Sequence, residues 1–117
     1  MRRLVEVFKT FGDLTRLKII KLLLVQELCV GDLVRILGLS QPTVSQHLRR
    51  LKQVGLACER REGQLVFYSV DREAVASFRE ACREFLEDTS LEAIPAMGAE
   101  HRRLGELRQV KASSPGN

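Results

Sequence analysis

Apolar positions recur at helical spacing through most of the chain, and the places where the spacing breaks divide it into elements. Leu4, Val7, Phe8 and Phe11 fall on one stripe of a predicted helix over residues 2–11. Gly12 interrupts it, and Asp13 is suited to cap a second helix reaching about Leu24. Leu14, Leu17, Ile20 and Leu24 would form the inward face of that helix, with Arg16, Lys18 and Lys21 outside. Asp32 to Leu37 reads as a short third helix closed by Gly38. Ser40 is the next start signal, followed by Gln41 and by Pro42, which a first helical turn tolerates because its missing N–H has no partner there. Val44, Leu48, Leu51 and Val54 then recur at steps of four and three until Gly55.

After Gly55 the pattern changes. Residues 56–60 and 65–70 are rich in β-formers and flank a tight Arg61-Glu62-Gly63-Gln64 turn, which predicts a hairpin. Asp71 can cap a further helix with Val75, Phe78, Cys82 and Phe85 on one stripe. Residues 91–110 read as helical in part, broken by Pro95, Gly98 and Gly105, and the end ASSPGN reads as a frayed tail. A short helix, a glycine turn and a serine-capped helix form a helix-turn-helix, and the hairpin behind it is a wing. The predicted fold is a mainly α (α+β) winged helix-turn-helix of five to six helices with a two-stranded wing. Residues 1–90 form its domain, and residues 91–117 a helical extension and flexible tail.

Composition narrows the function. A chain of 117 residues with 44% apolar types supports one core. Doubly wound and barrel enzymes need far more chain, and no nucleophile–base pair or phosphate loop is visible, so an enzyme is not expected. The longest apolar run, Leu22 to Val25, is far short of the ~20 residues of a bilayer helix, and the first residues lack a signal-peptide core. With three widely spaced cysteines, a reducing cytoplasm is the expected location. The net charge of +4 is unevenly spread. Residues 1–70 hold 12 Lys and Arg against 6 Asp and Glu, residues 71–117 hold 7 against 9, and the stretch from Leu33 to Cys58 contains no acid. Such a zone attracts polyanions.

The serine-capped helix sharpens that expectation. With Val44 at zero on a helical wheel, Leu48 and Leu51 lie within about 40° of it, while Ser45, Gln46, Arg49 and Gln53 fall between about 100° and 200°. Gln pairs bidentately with adenine, Arg reaches guanine or phosphate, and Ser serves either. A face built only for solubility usually mixes both charge signs, and this one does not. Gln41, Thr43 and Arg50 extend the candidate DNA surface along the helix, and Arg60, Arg61 and Gln64 add phosphate or minor-groove candidates on the wing. The competing role for those wing charges is protection of an edge strand. His47 lies at the boundary of the core stripe with no second metal ligand nearby in sequence.

The segment ELCVGDLVRILGLSQPTVSQHLRRLKQVGLACERREGQLVFYSV, residues 27–70, resembles the DNA-binding core of the ArsR/SmtB family of bacterial metalloregulatory repressors, and FGDLTRLKIIKLL, residues 11–23, resembles that family's second helix. The resemblance implies a homodimer joined through its first and last helices that represses an operator until an effector binds. Gln41, Ser45 and Gln46 match the family's base-reading positions. The dimer surface would comprise Leu4, Val7, Phe8 and Phe11 with Val75, Phe78, Cys82 and Phe85. A module for protein contact, with an incidental basic face, is the alternative from another functional class.

Within the resemblance, ELCVGDL departs from the arsenite-binding ELCVCDL pattern: the second thiol position is Gly31 and the third is Val34. Trivalent arsenic or antimony favours several thiolates, so Cys29 would need Cys58, Cys82 or another chain to complete a site. The plain alternatives are packing for Cys29, strand structure for Cys58 and dimer-core packing for Cys82. Residues 72–87 contain no histidine, so zinc is not expected on the last dimer helix. The remaining reading is a repressor with no metal or thiol effector.

Overall fold

Capping fixes the helix starts much as the sequence suggests. The computed structural model describes residues 1–113, so the expected tail lies, from residue 114 on, outside the described residues. Helix α1 runs Arg2–Phe11 and α2 Leu14–Val25. Asp13 accepts the Arg16 N–H at 2.9 Å, which satisfies a donor that the first turn of α2 would otherwise leave open. A two-residue strand β1, Leu28–Cys29, leads into α3, Val30–Leu37. Gly38 ends α3 at φ +68°, a left-handed turn that glycine adopts without Cβ strain. Helix α4 runs Gln41–Gln53, followed by strands β2, Ala57–Glu62, and β3, Leu65–Val70. Helix α5, Arg72–Glu87, begins where the Asp71 carboxylate accepts the Ala74 N–H. Beyond it lie a short 3₁₀ turn, Pro95–Met97, and α6, Gly98–Ala112. The chain divides into two compact units, Arg2–Arg83 and the residues from Glu84 on.

The first unit is a winged helix-turn-helix, with α3 and α4 as the paired helices. Val44, Leu48 and Leu51 on α4 and Val54 at its C-cap are buried with Ile19, Leu23, Leu33, Leu56 and Val70 in one core. The three strands are antiparallel in the order β1-β3-β2, with Cys29 opposite Phe67 and Phe67 opposite Arg60. The sequence pattern predicts only the hairpin, because a two-residue strand carries no periodicity. The wing turn is also tighter than expected. Arg61 and Glu62 belong to β2, Glu62 pairs with Leu65, and Gly63 at φ +63° opens a two-residue loop.

Two expectations about apolar faces are corrected. On α2 the buried residues are Ile19, Ile20 and Leu23, whereas Leu14 and Leu17 are exposed. Eight of its twelve residues are Leu, Ile or Val, so its composition marks no single face. Arg16, expected outside, lies partly buried. Val7, assigned to the dimer stripe, is 1% exposed and belongs to the subunit's own core. Phe8 remains half exposed, with its ring 5.4 Å from that of Phe78, and Phe11 packs on Phe78 at 5.2 Å. Helix α5 buries no residue fully, and Val75 and Phe78 only lean on the core.

The Asp13 cap gives a measurable pH effect. Its hydrogen bond from the Arg16 N–H holds the carboxyl below the usual carboxylate range. The stabilisation is therefore present above the unfolded-state value and lost as pH falls through the lower folded-state value. Asp13→Ala should lower stability at neutral pH by about 1 kcal/mol. In urea melts, Asp13→Asn, which keeps a capping oxygen, should lose less stability than the wild type between neutral and acid pH.

Candidate nucleic-acid interface

Burial of the inner face of α4 dictates what the outer face presents. Gln41, Gln46, Arg49 and Gln53 are exposed, and Ser45 and Arg50 are half-buried. The Thr43 hydroxyl is within 2.8 Å of the Ser40 hydroxyl, so this candidate contact already has a partner at the helix cap. Ser45, Arg49, Lys52 and Gln53 line an open cleft of about 410 Å³ whose far wall is Tyr68 on β3. The polar face of α4 therefore continues onto the wing.

Strand alternation separates the two wing arginines. Cross-strand partners share a face, so Glu59, Arg61, Val66 and Tyr68 lie on one side of the sheet and Cys58, Arg60, Phe67 and Ser69 on the other. On the first side Lys52 of α4 meets Glu59 at 3.0 Å. This lysine holds the Glu59 carboxyl below its ordinary range, while burial, aided by the Glu59 charge, pushes the Tyr68 phenol up. Arg61 and Gln64 are exposed. On the second side Arg60 donates to Glu27 at 2.6 and 3.2 Å and to Glu62 at 2.7 Å, and lies 4.9 Å from the centre of the Phe67 ring. Arg60, grouped by sequence with the phosphate contacts, is thus already engaged by two carboxylates and a ring. Lys52, Glu59 and Tyr68 are the residues that sequence reading left out. For Glu59 the signal was the alternation within ACERRE, legible only once the strand's extent is known.

The thiols are not gathered. Cys29 caps α3: its N–H and its Sγ each lie 3.1 Å from Asp32 Oδ2, and these bonds hold the Asp32 carboxyl below its usual range. Cys58 Sγ lies 3.2 Å from the Ser69 hydroxyl. Cys29 and Cys58 sit on the two outer strands with β3 between, so their backbones are about 9–10 Å apart at least. A disulfide requires Cα atoms within roughly 7 Å. Cys82 is half-buried on α5. Among the described residues no group of three or more His, Cys, Asp or Glu side chains is placed to hold a metal ion. A Cβ added at Gly31 would lie 3.8 Å from Cys29 Sγ, in ordinary contact with the thiol.

Residues 13–58, from the cap of α2 into the first wing strand, match the family model described as bacterial regulatory protein, arsR family. A cadmium resistance transcriptional regulatory protein CadC homolog of Staphylococcus aureus is 43% identical over 90 residues, 76% of this chain and 73% of that one. The chain belongs to the arsR family. Another member, the HTH-type transcriptional regulator KmtR of Mycobacterium tuberculosis, is 33% identical over 94% of this chain and 82% of its own. Among solved structures, reduced HlyU from Vibrio cholerae aligns with a TM-score of 0.60 at 38% identity, covering 70% of this chain and 87% of that one. The arsR-family relatives are DNA-binding transcriptional regulators, and the chain is one too, not an enzyme. Among the described residues no helix is long and apolar enough to cross a membrane.

The Lys52–Glu59 pair sets up a test on this surface. Glu59→Gln removes the anion that competes with phosphate for Lys52. Binding to mixed-sequence duplex at low salt should tighten, and the salt dependence of log K should steepen by about one unit per subunit. Fluorescence anisotropy across a salt series measures both.

Proposed function

We propose that the protein is a homodimeric, sequence-specific transcriptional repressor that reads operator DNA through α4, with the wing beside it on the phosphates. The outward face of α4 carries this reading: Gln41, Gln46, Arg49 and Gln53 stand exposed on a helix with no acidic residue, next to the exposed Arg61. In this reading Gln41, Ser45 and Gln46 read base edges. Arg49, Arg50, Gln53, Arg61 and Gln64 hold backbone, and Thr43 supports the cap. Arg60 braces the wing rather than touching DNA. Dimerisation is supported by α5, which buries nothing fully within the subunit, by Phe8 standing half exposed against Phe78, and by the exposure of Val5 on the same helix as Phe8. The protein would act in the cytoplasm, where its DNA is.

Release from the operator is assigned to thiol chemistry at Cys29. Similar proteins are named for resistance to arsenic or cadmium, among them the arsenical resistance operon repressor of Escherichia coli, 45% identical over 65 residues. Cys29 is the N-cap of α3, so a bond formed at Sγ displaces Asp32 from the cap at the start of the helix-turn-helix. Since β3 separates Cys29 from Cys58, a polythiolate site for arsenic or antimony would have to recruit Cys82 or thiols of the second subunit.

Base reading and phosphate holding separate by residue. Gln46→Ala should cost about 1–3 kcal/mol on a cognate duplex and relax choice at one base pair, whereas Arg61→Ala should weaken all duplexes alike. Equal losses on cognate and random DNA for both variants would show that α4 reads no bases.

The effector assignment has its own test. Cys29→Ser should bind DNA normally but remain bound when arsenite or an oxidant is added. A variant with all three cysteines replaced by serine that still responds like the wild type rules out thiol sensing.

A further inference from the structure

One side chain of α4 faces neither the core stripe nor the groove-facing surface. The His47 side chain is 18% exposed, and its Nδ1 lies 3.5 Å from Arg16 Nη1 and 4.0 Å from Asp13 Oδ1. Arg16 is itself fixed, since its Nε donates to the Thr10 carbonyl at 2.8 Å and its Nη2 to the Lys9 carbonyl at 3.5 Å. One guanidinium therefore ties the C-terminal carbonyls of α1 and the start of α2 to the middle of the recognition helix.

We infer that His47 is a proton-dependent positioning residue for α4, held in its DNA-reading pose by Arg16 and released from it when the imidazole is protonated. The inference rests on the proposed reading of DNA by α4. Neutral imidazole offers the Nδ1 lone pair to the Arg16 guanidinium, which has protons to donate and nothing to accept. Protonated Nδ1 has a proton and no lone pair, so the same arginine repels it. Its acceptor is then Asp13 Oδ1, which must approach by about 1 Å to reach hydrogen-bond distance. Asp13 already caps α2, so the new bond draws on a carboxylate that the fold uses. On α2 the charged groups facing His47 are thus Asp13 and Arg16, and on α1 the facing carbonyls of Lys9 and Thr10 are held by Arg16. Helix α4 itself contributes only cations, Arg49, Arg50 and Lys52.

The sign distinguishes this device from a plain charge effect. An added positive charge near DNA strengthens binding to every sequence as pH falls. Loss of the reading pose instead weakens selected DNA relative to mixed sequence. The probes are a duplex of about 30 base pairs, two to three helical turns, enriched by the protein from a random library, and a mixed-sequence duplex of equal length. Between pH 8 and 5.5 the affinity ratio of the two should fall about fivefold or more for the wild type. His47→Asn, which places an amide near the Nδ1 position, should show a ratio flat in pH. His101→Gln should keep the wild-type profile, because His101 pairs with Glu92 outside the helix-turn-helix. In the free protein, the backbone amides of residues 45–49 should shift in NMR spectra with the midpoint of the His47 ring, and not in His47→Asn. Amides that stay still through that titration, or a ratio that falls equally in His47→Asn, overturn the inference. Amides that move in a protein showing no preference between the two duplexes keep the clamp and instead defeat the reading of DNA by α4.

Discussion

Helix α4 is fixed by four side chains, Val44, Leu48, Leu51 and Val54, that lie within the core of the first unit. Burial of apolar surface has no direction of its own, yet once one side of a helix is committed the opposite side is determined to within a few tens of degrees. The other elements of the unit serve that constraint. Gly38 turns the chain so that α3 can brace α4, and the wing packs at its C-terminal end. Truncating any one of the four to alanine would cost a few kcal/mol, a large share of the stability of a domain this size. The polar face therefore rests on apolar packing it does not touch.

Charge around that face is arranged rather than accumulated. Three of the carboxylates near the wing have cationic neighbours: Glu59 with Lys52, and Glu27 and Glu62 with Arg60. These pairs are exposed and contribute little to folding individually. Their effect is local. They determine which cations stand ready for a polyanion and which are already engaged, and the formal net charge of +4 does not convey this division.

What the sequence reveals depends on how sharply each segment breaks symmetry. Helix α4 alternates apolar and polar residues at a clear 3.6-residue period, so its phase, cap and end are all readable. Helix α2 is Leu, Ile and Val for eight residues of twelve, and periodicity cannot choose between Leu14–Leu17 and Ile19–Leu23 as its inner face. The choice is made by neighbours far away in sequence. Strand β1 is too short to announce itself, although it carries Cys29 and separates it from Cys58 through β3. The exposed polar residues of α4 were legible for the same reason as its core. The different surroundings of Arg60 and Arg61 were not, because adjacent identical residues differ only in the side of a strand to which they point.

That last distinction constrains how this wing can change in length. Inserting or deleting one residue within Ala57–Glu62 inverts every side chain beyond the change, so that Arg61 crosses from the α4 side to the Glu27 side while Arg60 and Glu62 cross the other way. The wing thus tolerates length changes in pairs, and the evolutionary record of its relatives should show indels of even number in this strand or confined to the turn at Gly63.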